Sequence, residues 1–163
     1  MPRSLYPYWV VLHILAAASF LLAHGVSMFA LYRLRSLDLD RARIVDTIAF
    51  SGLTSKPMYA SLIVLTVAGF VAGYQGAWLD DWWIWIAVAV LIATTVLMTL
   101  IAKPYFKRIS GACALRPSGV PRTSDEELSE LVRSSKAHLI SGIGVGGLAI
   151  IIWLMVTKPG QTF

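Results

Sequence analysis

The chain has 163 residues, of which 57% are hydrophobic and 14% are charged. Soluble domains are typically about 45–50% apolar and about 25% charged, so this composition indicates an integral membrane protein. The formal net charge is +5, but the basic residues lie in segments between long apolar stretches, which argues against nucleic acid as a partner. The length suits a single membrane domain, residues 1–163.

Four apolar stretches are long enough to cross a hydrocarbon core, which takes roughly 20 residues. We predict spans at about residues 9–32, 57–74, 83–102 and 139–156. The first holds no Asp, Glu, Lys or Arg and continues well past Ala16-Ala17-Ala18, too far for a cleaved signal peptide. Tryptophans crowd the short turn between spans 2 and 3, a pattern that is typical of a membrane–water interface.

Two polar segments, residues 33–56 and 103–138, connect the spans. In the first, Leu39, Ile44 and Ile48 recur near helical spacing, which predicts an amphipathic helix at the membrane surface. In the second, the third helix is predicted to end at Lys103-Pro104, and a loosely ordered loop rich in Gly, Pro and Ser follows over 109–123. Ser124 then begins a capping-box pattern, from which a helix is predicted to run unbroken into the fourth span.

The predicted fold is therefore all-α: an integral membrane antiparallel four-helix bundle with a cytoplasmic amphipathic helix and a cytoplasmic extension of the fourth helix. Five Lys and Arg residues lie in 33–56 and seven in 103–138, twelve of the fourteen in the chain. The positive-inside rule places both segments in the cytoplasm and both termini outside, in a multi-pass protein of the bacterial cytoplasmic (inner) membrane.

Small residues let the backbones of membrane helices approach closely. Such residues lie on spans 1, 2 and 4, and we predict that these three spans make the closest contacts while span 3 faces lipid. The expected helix-packing residues are Ser19, Ala23 and Ser27 on span 1, Gly69 and Gly73 on span 2, and Gly142 and Gly146 on span 4, with Gly144 and Gly147 nearby.

Polar side chains within a bilayer are functional candidates by default, and here they are His13 and His24, with His138 at an interface. His13 and His24 share nearly one helix face and lie roughly 16 Å apart along the axis, a spacing that resembles two-haem membrane cytochromes. Haem b held by His24 and His138 is therefore one alternative, although their predicted depths differ by roughly 8 Å and His13 has no histidine partner. The other interpretation is that the histidines form hydrogen bonds across helices and that no cofactor is bound.

The familiar catalytic patterns are absent: Ser-His-Asp, paired carboxylates, HExxH, CxxC and a phosphate-binding glycine loop. Acidic residues lie only in the predicted loops. A single Cys113 excludes an internal disulfide and a multi-cysteine metal site. We therefore expect no catalytic residues, no metal site and no enzyme activity.

Three short stretches carry a resemblance. They are Leu12 to Ala16 (LHILA), Lys103 to Arg108 (KPYFKR) and Trp153 to Pro159 (WLMVTKP). They resemble a family of predicted bacterial four-span integral membrane proteins of unknown function, which shows an LH-hydrophobe start, a P-x-x-x-R-like exit from its third span and a terminal LMV-x-KP. The opening Leu-His is also distantly similar to the copper-resistance D membrane proteins, whose usual Trp-Leu-Gly-Gly continuation is missing here. The resemblance implies four spans and brings no activity with it.

These features favour a small membrane protein that is a structural or accessory subunit of a larger bacterial membrane complex, respiratory or photosynthetic. The expected partners are other membrane-protein subunits and lipids, including anionic lipids attracted by the basic segments. Two alternatives stay open. One is the haem b-binding electron carrier, and the weaker one is a small transporter or lipid-handling protein that works through the Gly-rich seam of span 4.

Overall fold

A computed structural model of the chain describes residues 5–160. The ends of the predicted domain, residues 1–4 and 161–163, lie outside the described residues. Four helical segments are long and apolar enough to cross a membrane, which confirms the predicted all-α class with four long apolar helices. In chain order the helices are α1 Tyr6–Arg35, α2 Arg41–Leu53, α3 Ser55–Gln75, α4 Trp82–Cys113, α5 Asp125–Arg133 and α6 Lys136–Thr157.

The two short helices begin at side-chain caps. The Asp40 carboxylate accepts hydrogen bonds from the backbone N–H groups of Ala42 and Arg43 at the start of α2. At the start of α5, the Ser124 hydroxyl accepts a bond of 3.3 Å from the N–H of Glu127, which confirms the predicted cap. A cap of this kind stabilises a helix by about 1 kcal/mol. The amphipathic helix predicted around Ile44 is present as α2, with Ile44 fully buried.

The prediction that the third helix ends at Lys103-Pro104 is wrong, because α4 continues to Cys113. Pro104 cannot donate to the carbonyl of Leu100, and proline inside a helix costs about 3 kcal/mol. The turns beyond it bury Tyr105 and Ile109, and burying large apolar side chains stabilises by about 1.5–3 kcal/mol each. The free energy gained by burying these side chains therefore offsets the cost of the proline, and α4 continues beyond it.

The segment after α4 is also more regular than predicted. Residues 114–123 fold into a turn in which the N–H of Arg116 bonds to the carbonyl of Val120 at 2.8 Å. Leu115 and Pro121 form an isolated antiparallel bridge across the same turn. Gly119 has φ of +78°, a conformation that glycine adopts without strain. The segment is a hydrogen-bonded turn rather than a loose loop.

The predicted extension of the fourth helix is a separate helix, α5. The chain breaks at Ser134, whose ψ of 151° is extended. The Ser134 hydroxyl donates to the carbonyl of Leu131 at 2.9 Å, and a local bond of this kind competes with helix continuation. The prediction of an unbroken helix from Ser124 into span 4 is therefore wrong.

The long helices pack mainly in two pairs, α1 with α3 and α4 with α6, and α1 touches α6 far less. Span 4, in α6, thus packs mainly on span 3, in α4, which corrects the prediction that spans 1, 2 and 4 are in closest contact. One close contact of this pair lies at Thr94 of α4. Its hydroxyl occupies the place that a Cβ on Gly147 of α6 would take, so the glycine lets the two helices approach there.

The polar connections gather the helices at one end, which we call the arginine end (residues 33–56 and 103–138). We call the opposite end the tryptophan end (residues 5–9, 74–87 and 153–160). Between the ends few side chains are buried, since 6% of the residues in the most hydrophobic stretch of α4 and 28% of those in that of α1 are buried. The main buried cluster lies at and beside the arginine end, and its members are Leu31, Leu34, Leu37, Ile44, Ala102, Tyr105, Ile109, Ala112, Cys113, Leu128, Val132, Ala137 and Ile140.

Candidate functional site

His24 lies buried at the junction of the two helix pairs, with 8% of its surface exposed. Its ring stacks on Phe20, with the ring centroids 5.9 Å apart. Its Nε2 faces Gly144 of α6, because a Cβ on Gly144 would lie 2.8 Å from that nitrogen and 3.6 Å from the methyl group of Met98 in α4. Nε2 of His24 has no hydrogen-bond partner among residues 5–160. The imidazole thus fills the space where α1, α4 and α6 meet.

His13 joins α1 to α3 inside one helix pair. Its Nδ1 lies 2.8 Å from the carbonyl oxygen of Leu65, a geometry in which a protonated Nδ1 donates. The same ring packs on Gly69, where a Cβ would lie 2.7 Å from Cε1 of His13. Gly69 therefore makes room for a histidine that forms a hydrogen bond between helices.

His138 is exposed at the start of α6. Its ring contacts Tyr32 with the centroids 6.2 Å apart, and the Tyr32 hydroxyl donates to Ser141 at 2.9 Å. His24 meets α6 at Gly144, six residues from His138 and therefore about 9 Å along the axis. The structure does not bring His24 and His138 together.

These positions do not fit haem b held by His24 and His138. The Nε2 of His24 packs on the backbone at Gly144, which leaves no room for a porphyrin ring against that nitrogen. His138 lies at a different level of α6 and is exposed beside Tyr32. Among the described residues, no group of three or more His, Cys, Asp or Glu side chains could hold a metal ion.

Four of the predicted helix-packing residues lie in contacts within the chain. Ala23 is buried on α1, and the Ser27 hydroxyl accepts a bond from Ser51 of α2 at 3.2 Å. Gly69 packs on His13, as described above. Gly73 of α3 lies close to the turn that leads to α4, where a Cβ would come 3.0 Å from the side chain of Leu79.

The other three show no such contact among residues 5–160. Ser19 is exposed on α1, and a Cβ on Gly142 or Gly146 of α6 would meet nothing within 4 Å. The glycines of α6 that make close contacts are Gly144 and Gly147. Residues two apart on a helix point about 200° away from each other. Because α6 turns Gly144 toward His24, it turns Gly142 and Gly146 away from His24.

Arg41 is a structural residue that the sequence did not distinguish. Its guanidinium donates to the carbonyls of Ala112 and Thr123, both at 2.8 Å, and to the carboxylate of Asp125 at 2.6 Å. One side chain therefore ties α2 to the end of α4 and to the start of α5. In the sequence, Arg41 and Arg43 look alike, since both belong to the polar face of one amphipathic helix.

Comparison with known proteins identifies no relative: no family model, no curated protein and no solved structure matches this chain. What the protein does must therefore be inferred from its own residues. Two of the histidines lie in contacts between helices, His13 bonded to Leu65 and His24 packed on Gly144. Gly142 and Gly146 of α6 have no neighbour among residues 5–160 within 4 Å of their Cβ positions, and many large apolar side chains of the long helices are exposed.

Proposed function

We propose that this protein is a small multi-pass integral membrane protein that serves as a structural or accessory subunit of a larger bacterial membrane complex, respiratory or photosynthetic. The first support is the apolar surface between the two ends. Leu22, Ile63 and Leu100 are each at least 64% exposed there. Soluble proteins rarely expose contiguous apolar surface of this extent, whereas lipid and partner helices cover it well.

In this proposal the four apolar segments cross the cytoplasmic membrane as an antiparallel bundle, with the arginine end in the cytoplasm and both termini outside. Twelve of the fourteen Lys and Arg residues belong to the arginine end, which supports that orientation. Contacts at the tryptophan end support the alternating direction of the helices. Trp78, between α3 and α4, donates to the hydroxyl of Tyr6 in α1 at 3.3 Å, and the ammonium of Lys158, after α6, lies 4.2 Å from the Trp78 ring.

The observation that carries the subunit role is the outward face of α6. Gly142 and Gly146 lie one turn apart on that face, and neither has a neighbour within 4 Å of the Cβ position. Glycine costs about 1 kcal/mol relative to alanine inside a helix. A pair of glycines spaced by four lets a second helix approach closely. We infer that a helix of a partner subunit packs on Gly142 and Gly146.

Replacing both outward glycines tests this role. Native mass spectrometry of the protein, extracted from its own membrane in mild detergent, is expected to show it bound to identified membrane subunits at fixed stoichiometry. The double variant Gly142→Leu, Gly146→Leu is expected to lose those subunits, because two leucines keep the helices apart. The matched control places leucine at Ala60 and Ala93, which are exposed on α3 and α4, and is expected to keep them. A wild-type protein that is always alone, or a double variant that keeps its partners, would contradict the proposal.

A further inference from the structure

A cavity of about 830 Å³ opens at the arginine end, between α4, α5 and α6. None of the three histidines is among its lining residues, which include Leu139, one turn before Gly142 on α6. Its wall changes character along α4, because Leu100 and Ile101 line one part and Arg108 lines another. Leu139 adds to the apolar part, and Lys136, one turn away on α6, adds to the charged part.

The change in the wall coincides with the end of the apolar segments. Leu100 and Arg108 are eight residues apart, about 12 Å along α4, and the apolar run of α4 ends at Ala102 between them. With the membrane placed as proposed above, the apolar wall lies at the edge of the hydrocarbon and the charged wall lies among the headgroups. A ligand that fills both parts is amphiphilic, as phospholipids are.

The charged wall carries both signs. Arg108 and Lys136 face the cavity together with Glu127 and Glu130. All four are exposed, and no ion pair engages any of them within residues 5–160. The carboxylates would repel a purely anionic headgroup. A headgroup that carries both phosphate and a primary ammonium matches all four side chains, since Arg and Lys bind phosphate and carboxylates accept N–H bonds.

We propose that this cavity binds phosphatidylethanolamine. An acyl chain lies on Leu100, Ile101 and Leu139, and the phosphate lies between Arg108 and Lys136. The ammonium donates hydrogen bonds to the carboxylates of α5. Phosphatidylcholine has the same phosphate and the same charge but no N–H group, and phosphatidylglycerol has no cation, so both fit less well. The inference rests on the membrane placement of the proposed function.

Lipid competition tests the assignment on the full chain. The purified, delipidated protein is incubated in detergent with equal amounts of phosphatidylethanolamine, phosphatidylcholine and phosphatidylglycerol, and native mass spectrometry counts the lipids that it retains. Phosphatidylethanolamine is expected to be retained about tenfold over phosphatidylcholine, because a hydrogen bond to a charged group is worth about that factor. This comparison uses the wild-type protein, so it does not depend on the folding of any variant.

Two double variants test which side chains bind the ammonium and which bind the phosphate. Glu127→Gln with Glu130→Gln is expected to abolish the preference for ethanolamine and to raise retention of phosphatidylglycerol. Arg108→Gln with Lys136→Gln is expected to lower retention of all three lipids. The matched controls Glu126→Gln on α5 and Lys107→Gln on α4 change exposed charges that do not line the cavity, and they are expected to leave the preference intact.

Equal retention of phosphatidylethanolamine and phosphatidylcholine by the wild-type protein would overturn the assignment, as would a preference that survives the double glutamine change on α5. Failure of the membrane placement gives a different result, because the protein would then leave its membrane in an alkaline carbonate wash. A protein that resists the wash and shows no headgroup preference rejects the lipid site alone.

Discussion

The arginine end and the tryptophan end hold the same helices together by different means. The main cluster at and beside the arginine end has thirteen buried side chains, and Arg41 ties three elements there. The cluster at the tryptophan end has three, Trp83, Ala87 and Leu154, among the residues that the structure describes. With the membrane placed as proposed above, lipid surrounds the middle of the helices and gives no hydrophobic drive between them, whereas water at the arginine end does. We infer that the long helices are held in register mainly from the arginine end.

The largest expected effect compares one buried leucine at each end. Leu128 is 0% exposed in α5, and Leu154 is 3% exposed in α6. Leu128→Ala is expected to lower the free energy of unfolding by about 2–5 kcal/mol, because it leaves a cavity in a water-driven core. Leu154→Ala is expected to cost less. Reversible unfolding in mixed micelles measures both, and an equal or larger loss for Leu154→Ala would undo the comparison.

Arg41 provides the next test. Arg41→Gln removes the bonds to Ala112, Thr123 and Asp125, and we expect a loss of about 1.5–3 kcal/mol, as for hydrogen bonds to charged groups. Amide hydrogen exchange of residues 114–123 is expected to accelerate. The control is Arg43→Gln, since the exposed Arg43 forms a surface ion pair with Asp40, worth at most about 1 kcal/mol. Similar losses for the two variants would show that Arg41 has no special role.

Between the two ends, His24 and Gly144 form a close contact that joins the two helix pairs. Gly144→Ala places a methyl group 2.8 Å from Nε2 of His24, and overpacking of this kind costs about 1–3 kcal/mol. Combining it with His24→Ala is expected to recover most of that loss in a double-mutant cycle. Gly146→Ala, on the open face, is expected not to destabilise the isolated protein. Additive effects of the changes at Gly144 and His24 would mean that the two residues do not touch.

The smallest expected effect lies at the tryptophan end. Lys158→Gln removes the ammonium that lies 4.2 Å from the centre of the Trp78 ring, and a cation–π contact at an exposed site is worth about 0.5–1 kcal/mol. The emission of the tryptophans is expected to shift, while the unfolding free energy changes little. A loss as large as that of Arg41→Gln would show that this end is also a principal anchor.

The sequence predicted the four long apolar helices because span length and hydropathy are local properties. It failed at Pro104 and Ser134 for one shared reason. From local sequence alone, a helix is expected to end at proline and to continue through serine. In the structure α4 continues beyond Pro104, because the next turns bury Tyr105 and Ile109. At Ser134, Arg35 of α1 donates a hydrogen bond of 3.0 Å to the backbone carbonyl where the helix breaks. Such outcomes depend on tertiary contacts that the sequence does not display.

The sequence identified candidate packing residues but not the direction in which each one faces. That small residues on α6 matter is visible in the sequence, but which glycines face inward depends on the rotation of the helix. His24 and Thr94 settle that rotation by occupying the space at Gly144 and Gly147. His24 of α1 meets α6 at Gly144, about 9 Å along the helix axis from His138. The sequence does not distinguish Arg41 from Arg43. The difference arises in the fold, which places the carbonyls of Ala112 and Thr123 beside Arg41.

Cysteine labelling in intact cells tests whether α4 crosses the membrane and in which direction. In a Cys113→Ser background, single cysteines replace Asp80 in the α3–α4 turn and Ser118 in the turn after α4, both exposed. A membrane-impermeant maleimide is expected to label position 80 in intact cells and position 118 only after the cells are permeabilised. Labelling of position 118 in intact cells, or of both positions from one side, would contradict four crossings with a cytoplasmic arginine end.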